Sequence, residues 1–158
     1  MQKLDNLDRK ILAELQSDAS RSIAEVASRV GLSQTPCWRR IQRMRSNGVI
    51  EGIVALVSPE AVGLGLTVFV SIQAPDHSPA WLDQFTAAVT ARPEVQEVHR
   101  MAGEIDYMLR LTMQDMASFD IFYRELIAAV PLKNVSSHFV MERVKDSKSY
   151  PVSPHDLI

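Results

Sequence analysis

The chain has 158 residues, 46% of them hydrophobic, a formal net charge of −2 and a single cysteine. That length suits two small domains or one medium one. No apolar run reaches the ~18 residues of a membrane span, and Met1-Gln2-Lys3-Leu4-Asp5 lacks an apolar signal core, so a cytoplasmic protein without a membrane partner is expected. Cys37 has no second cysteine to pair with, and His77, His99, His138 and His155 are scattered, so neither a disulfide nor a zinc set is implied.

In chain order, Leu7, Ile11, Leu12 and Leu15 predict one amphipathic helix, and Ile23, Val26, Ala27 and Val30 a second. The second opens with Ser22 three residues before Glu25, the spacing of a capping box, and closes at Gly31-Leu32. A third helix follows from Ser33 to Gly48. Ser33 is placed to cap its first turn, Pro36 falls inside that turn, and Gly48 suits the left-handed residue past its end. Cys37, Ile41 and Met44 form its apolar stripe. Arg39, Arg40, Arg43 and Arg45 occupy the rest, with no acid between them. Guanidiniums so crowded favour a polyanion, and double-stranded DNA is the expected partner. Helix, helix, glycine turn and basic helix is the helix-turn-helix arrangement, whose last helix enters the major groove. The competing reading is a three-helix bundle with a solvated basic face.

Charge is unevenly divided. Residues 1–52 carry nine basic and six acidic residues, net +3, and residues 53–158 carry eight and thirteen, net −5. A basic head and an acidic body follow, with domains expected at 1–52, a connector strand and hinge at 53–65, and a second domain at 66–158. Ile53 to Val57 read as a short strand, and Ser58-Pro59 and Gly63-Leu64-Gly65 break the chain. Strands are predicted over 67–73, 95–101, 107–112 and 135–144. Helices are predicted after Ser78-Pro79, with Leu82, Phe85, Ala88 and Val89 inward, and over 116–130, with Phe119, Phe122, Leu126 and Ala129 inward. The order βαββαβ is the ferredoxin-like plan, giving an α+β fold class overall. Val68, Val70 and Ile72 alternate with Thr67, Phe69 and Ser71, so both faces of that strand are largely apolar. A sheet-to-sheet homodimer is inferred, which would set two basic helices roughly 34–36 Å apart on DNA.

Candidate residues divide between the halves. Arg39, Arg40 and Arg43 are expected to reach DNA, so Arg40→Ala should weaken binding and its salt slope. Gln34 and Thr35 are placed for base edges, Ser33 for a phosphate or the helix cap, and Trp38 for packing or the DNA backbone. The turn from Gly103 to Asp106 is the best site for a zwitterionic amino acid. Asp106 would meet the ammonium group, with Glu104 second, while backbone N–H groups meet the carboxylate. Ser136 and Ser137 could add hydroxyls. Met101 borders the turn and, like Met108, suits packing more than sulfur-specific contact. The competing reading is a hairpin turn with solvated acids. Glu104 with Asp106 could be named a carboxylate pair, but no nucleophile arrangement, phosphate loop or metal cluster accompanies them. No enzyme and no cofactor is therefore expected.

Leu4 to Leu15, Val30-Gly31-Leu32-Ser33-x-Thr35-Pro36-Cys37, Gly48-Val49-Ile50, Pro93-Glu94-Val95, Gly103-x-x-Asp106-Tyr107 and Val144-Lys145 before Tyr150-Pro151 carry a family likeness. Across nearly its full length the chain resembles the leucine-responsive and asparagine-synthase regulator family, Lrp/AsnC. The resemblance implies a winged helix-turn-helix domain, an effector domain pairing into dimers that often build octamers, and transcriptional control by an amino acid bound near subunit interfaces. Trp38-Arg39-Arg40, residues 63–70 and residues 100–107 look similar to a subgroup controlling cysteine detoxification, which implies L-cysteine as effector. The family turn is commonly Gly-Asp-x-Asp-Tyr, and Glu104 replaces its first acid here. A DNA-organising protein without an effector is the alternative.

Overall fold

The computed structural model describes residues 4–152; Met1-Gln2-Lys3 and the segment holding His155 lie outside the described residues. Contacts divide the chain into two units. Residues 4–55 and the tail 144–152 form one, and residues 56–143 form the other. The tail, assigned by sequence to the second domain, makes its contacts with the first unit.

In that unit α1 (Asn6–Ser17), α2 (Ile23–Val30) and α3 (Gln34–Ser46) enclose a core of Ile11, Leu12, Val26, Ala27, Val30, Cys37, Ile41 and Met44. The stripe expected on α3 is buried in full. Ser22 and Glu25 form the expected capping box, and Gly31 turns the chain at φ 74°. Gly48 leaves α3 at φ 71°, while the amides of Val49 and Ile50 return to the Met44 carbonyl. A second box, unnoticed in the sequence, starts α1: the Asp8 amide donates to Asp5 Oδ1 at 2.8 Å and the Asp5 amide to Asp8 Oδ2 at 3.2 Å.

The tail is tied to α1 by side-chain-to-backbone bonds. Gln16 accepts from the Tyr150 amide at 2.7 Å and donates to its carbonyl at 3.1 Å. Arg9 donates to the Val152 carbonyl at 3.0 Å, and the Val152 side chain packs against the helical core. Gln16→Ala removes a donor and an acceptor together. It is expected to lower the stability of the helical unit by about 0.5–1.5 kcal/mol, reduced by the exposure of both bonds, as read by denaturant unfolding. An unchanged midpoint would show that the tail does not stabilise α1.

The second unit holds β1 (Leu66–Gln73), α4 (Pro79–Thr90), β2 (Val95–Arg100), β3 (Tyr107–Met113), α5 (Met116–Ala129) and β4 (Asn134–Phe139). The sheet order is β2-β3-β1-β4, antiparallel throughout, which is the expected ferredoxin-like α+β plan. Val68, Val70 and Ile72 of β1 and Tyr107, Leu109, Leu111 and Met113 of β3 meet Trp81, Phe85 and Val89 of α4 and Phe119, Phe122 and Leu126 of α5.

Several expectations are corrected. Residues 53–57 form no strand among the described residues, and Val54 and Leu56 are 78% and 70% exposed. Their β-branched composition favours a strand, but no ladder partner lies among the described residues, and an unpaired strand satisfies no backbone groups. For the same reason the wing implied by the resemblance is absent from the described residues. The buried stripe of α4 is Trp81, Phe85 and Val89, so Trp81, not Leu82, enters the core, where its Nε1 donates to the Pro131 carbonyl at 2.7 Å. The final strand stops at Phe139, where pairing with β1 ends. The uncovered sheet face is more polar than expected. Phe69 and Met108 share it with Ser71, Ser136, His138, His99 and a Glu97–Arg110 ion pair at 2.6 Å. Among the described residues no helix is long and apolar enough to cross a membrane.

Candidate nucleic-acid interface and effector turn

Burying Cys37, Ile41 and Met44 turns the opposite side of α3 outward, so the 3.6-residue period exposes Gln34, Thr35, Trp38 and Arg39. Ser33 stands at the N-cap with extended backbone but makes no side-chain cap bond. Its predicted cap is therefore corrected: the Ser33 hydroxyl accepts no bond from the first turn, where Pro36, three residues on, has no N–H to donate. Of the two uses expected for Trp38, its 50% exposure speaks against packing beneath the helix. Burial holds the Cys37 thiol pKa above its ordinary value, as befits a core residue.

Two of the arginines are not open cations. Arg40 Nη1 lies 2.6 Å from Asp5 Oδ2 and 2.8 Å from Asp8 Oδ1, and Arg43 Nη2 lies 2.7 Å from both Asp8 oxygens. Asp8 is only 1% exposed, so its charge is compensated by these two guanidiniums and the Asp5 amide. Asp5 is held below the usual carboxylate range, first by the Asp8 amide and then by Arg40. Loss of DNA affinity in Arg40→Ala would thus mix a missing cation with a weakened α1–α3 contact. Arg39 and Arg45 remain on the exposed surface. The sequence signal for the ion pairs was present at Asp5 and Asp8, but nothing local ties a first-helix acid to a third-helix arginine.

The turn after β2 is anchored to the end of β1. The Asp106 amide donates to the Ile72 carbonyl at 2.9 Å, and Gln73 Nε2 donates to the Glu104 carbonyl at 2.6 Å. Asp106 Oδ2 accepts from the Ala74 amide at 2.8 Å, and Oδ1 lies 3.7 Å from His77 Nε2. One carboxylate oxygen therefore has a structural task. Gly103 sits at φ 140°, a conformation that side chains resist. Met101, Gly103 and Glu104 are exposed around it. Ser136 and Ser137 are not brought to this turn. They lie on β4, beyond β1, opposite Ser71 and Val70, and strand alternation sends them to opposite faces. They cannot both face one ligand on either side of the sheet.

A cleft of about 390 Å³ opens near the far end of β3, lined by Leu64, Pro93, Thr112, Met113, Ser118 and Ile121 among others. None of the residues proposed from sequence lines it. Its contributors come from separate elements, so no local motif announces it.

Comparison with known proteins gives two matches in chain order, the second running on into the tail. Residues 4–45 match the AsnC-type helix-turn-helix domain, and residues 67–150 match the Lrp/AsnC ligand binding domain. The chain is 46% identical over 150 residues to the DNA-binding transcriptional activator DecR of Escherichia coli K12, covering 94% of this chain and 99% of that protein. It is 44% identical over 152 residues to the glutamate uptake regulatory protein of Zymomonas mobilis, with 96% and 93% covered. Among solved structures, an AsnC family transcriptional regulator from Agrobacterium tumefaciens superposes with TM-score 0.90 at 48% identity, covering 94% of this chain and 97% of that one. A Neisseria meningitidis transcriptional regulator solved as its L-Met complex gives TM-score 0.90 at 33% identity, with 95% and 97% covered.

Proposed function

The chain belongs to the Lrp/AsnC family of DNA-binding transcriptional regulators, and we propose that its DNA binding is controlled by a small amino acid, L-cysteine. The observation that carries this reading is one chain joining a helix-turn-helix with an exposed reading face to a ligand-binding domain. Cysteine as the effector is supported by the resemblance of residues 63–70 and 100–107 to the cysteine-detoxification subgroup.

In this reading Gln34, Thr35, Trp38 and Arg39 face the major groove, Ser33 meets a phosphate, and Arg40 and Arg43 hold α3 in place. The ammonium group of the effector binds at the exposed Glu104 carboxylate and Asp106 Oδ1, beside Met101 and Gly103. Two copies pair through the uncovered sheet face and build toward an octamer in the cytoplasm.

Fluorescence anisotropy tests the reading, using duplexes from upstream of the protein's own gene against scrambled DNA, with each common amino acid in turn. Sequence-specific binding shifted by L-cysteine supports it. A shift by glutamate or methionine instead replaces the effector. Equal binding to all DNA, indifferent to amino acids, favours a DNA-organising role. Arg39→Ala is expected to weaken binding. A phosphate contact would flatten the log–log salt slope by about 0.9, and a base contact would cost about 1–3 kcal/mol with the slope kept. If neither changes, Arg39 is not at the interface. A cysteine response that survives Glu104→Gln and Asp106→Asn would move the effector site away from the turn, with the β3 cleft next to be probed.

A further inference from the structure

The four-residue network on α1 and α3 has an inner and an outer layer. Asp8 is sealed, with its side chain 2% exposed, and it secures Arg43 and one contact of Arg40. Asp5 is different. Its side chain is 51% exposed, and it holds the same Arg40 Nη1 at 2.6 Å from the solvent side. Arg40 itself retains 24% side-chain exposure, on the helix whose neighbouring residue Arg39 is open. A carboxylate oxygen at that distance occupies the place a DNA phosphate oxygen would take on the same guanidinium.

From this geometry we infer that Asp5 is a specificity-determining residue, an internal competitor that withholds Arg40 from DNA phosphates. The inference rests on α3 being the DNA-reading helix. Phosphate contacts are blind to sequence and supply the non-specific part of binding. On random DNA the protein is free to settle in whichever register gains a phosphate for an unguarded arginine. On its operator the base contacts of α3 fix the register. Guarding Arg40 therefore lowers random binding more than operator binding. Removing Asp8 could not give the same result cleanly, because its buried carboxylate also joins the helices.

Asp5→Asn isolates the effect, since asparagine caps a helix as well as aspartate does and the α1 start survives. The probes are a duplex from upstream of the protein's own gene and its scrambled counterpart, titrated at several salt concentrations. Affinity for the scrambled duplex is expected to rise about two- to fivefold, the scale of one exposed ion pair. Its log–log salt slope should steepen by about 0.9, one additional phosphate. The ratio of operator to scrambled affinity should fall. Asp18→Asn neutralises the residue that follows α1 at its other end, removing the same charge, and is expected to leave slope and ratio unchanged. In an Arg40→Gln background, Asp5→Asn should have no further effect.

The inference is overturned if Asp5→Asn leaves scrambled-DNA affinity and slope alone. It also fails if both duplexes gain equally or if Asp18→Asn acts as strongly. Arg39→Ala in the same titration separates the two levels. If it too is silent, the reading of α3 fails; if it weakens binding while Asp5→Asn does nothing, only the competitor role is lost.

Discussion

Arg43→Ala is expected to destabilise the helical unit by about 2–3 kcal/mol, a structural loss that precedes any change at DNA. The reason is the partner left behind. Asp8 is 1% exposed and would lose two contacts of 2.7 Å, keeping among the described residues Arg40 at 2.8 Å and the Asp5 amide at 3.2 Å. Stripping one partner from a buried pair costs about 3–5 kcal/mol, and the surviving Arg40 contact and the partial exposure of Arg43 lower that figure. Denaturant unfolding checks the value. Adding Asp8→Asn to Arg43→Ala should restore part of the loss, because an amide is less costly to bury than an uncompensated carboxylate. A fully stable Arg43→Ala with weakened DNA binding would return Arg43 to the interface.

A larger loss, about 3–5 kcal/mol, is expected for Phe85→Ala in the second unit. Phe85 is 1% exposed, stacks on Trp81 with centroids 5.0 Å apart, and meets the Tyr107 ring at 4.6 Å. Truncation removes an aromatic side chain from between two others and leaves a cavity that α4, anchored through Trp81 to Pro131, cannot close. Tyr107 directly follows the Asp106 turn, so with the effector placed there as proposed, its response should weaken along with stability. Against a typical total of 5–15 kcal/mol, the loss brings the unit close to unfolding. Equilibrium unfolding followed by tryptophan fluorescence in a Trp38→Phe background, which leaves Trp81 as the emitter, measures it. A cost below about 1 kcal/mol would mean that the core repacks around the gap.

How far the sequence reached depends on whether a signal was local. Ser22 with Glu25, Gly31 and Gly48 announced helix ends because caps act within a few residues. The burial of Cys37, Ile41 and Met44 and of β1's Val68, Val70 and Ile72 follows from periodicity alone. Sequence by itself therefore determined the helix-turn-helix, the βαββαβ order and the family. It also placed the exposed face of α3, since a helix that buries one stripe must show the other.

Tertiary structure decided the states of the charges and the partners of the strands. Arg39 and Arg40 are neighbours of one type on one helix, yet Arg39 is exposed while Arg40 is bound by Asp5 and Asp8, more than thirty residues away in the chain. Ser136 and Ser137 looked like one hydroxyl pair until the register with Ser71 and Val70 put them on opposite faces. The apolar segment 53–57 has strand composition without a strand, and the tail around Tyr150 and Val152 joins α1 rather than the sheet. In each case the deciding energy is a pairing between distant segments: an ion pair desolvated on assembly, a ladder that needs a second strand, or a side-chain amide clasping a returning backbone. Local propensity carries no record of which distant group completes the pair, and only the assembled chain supplies it.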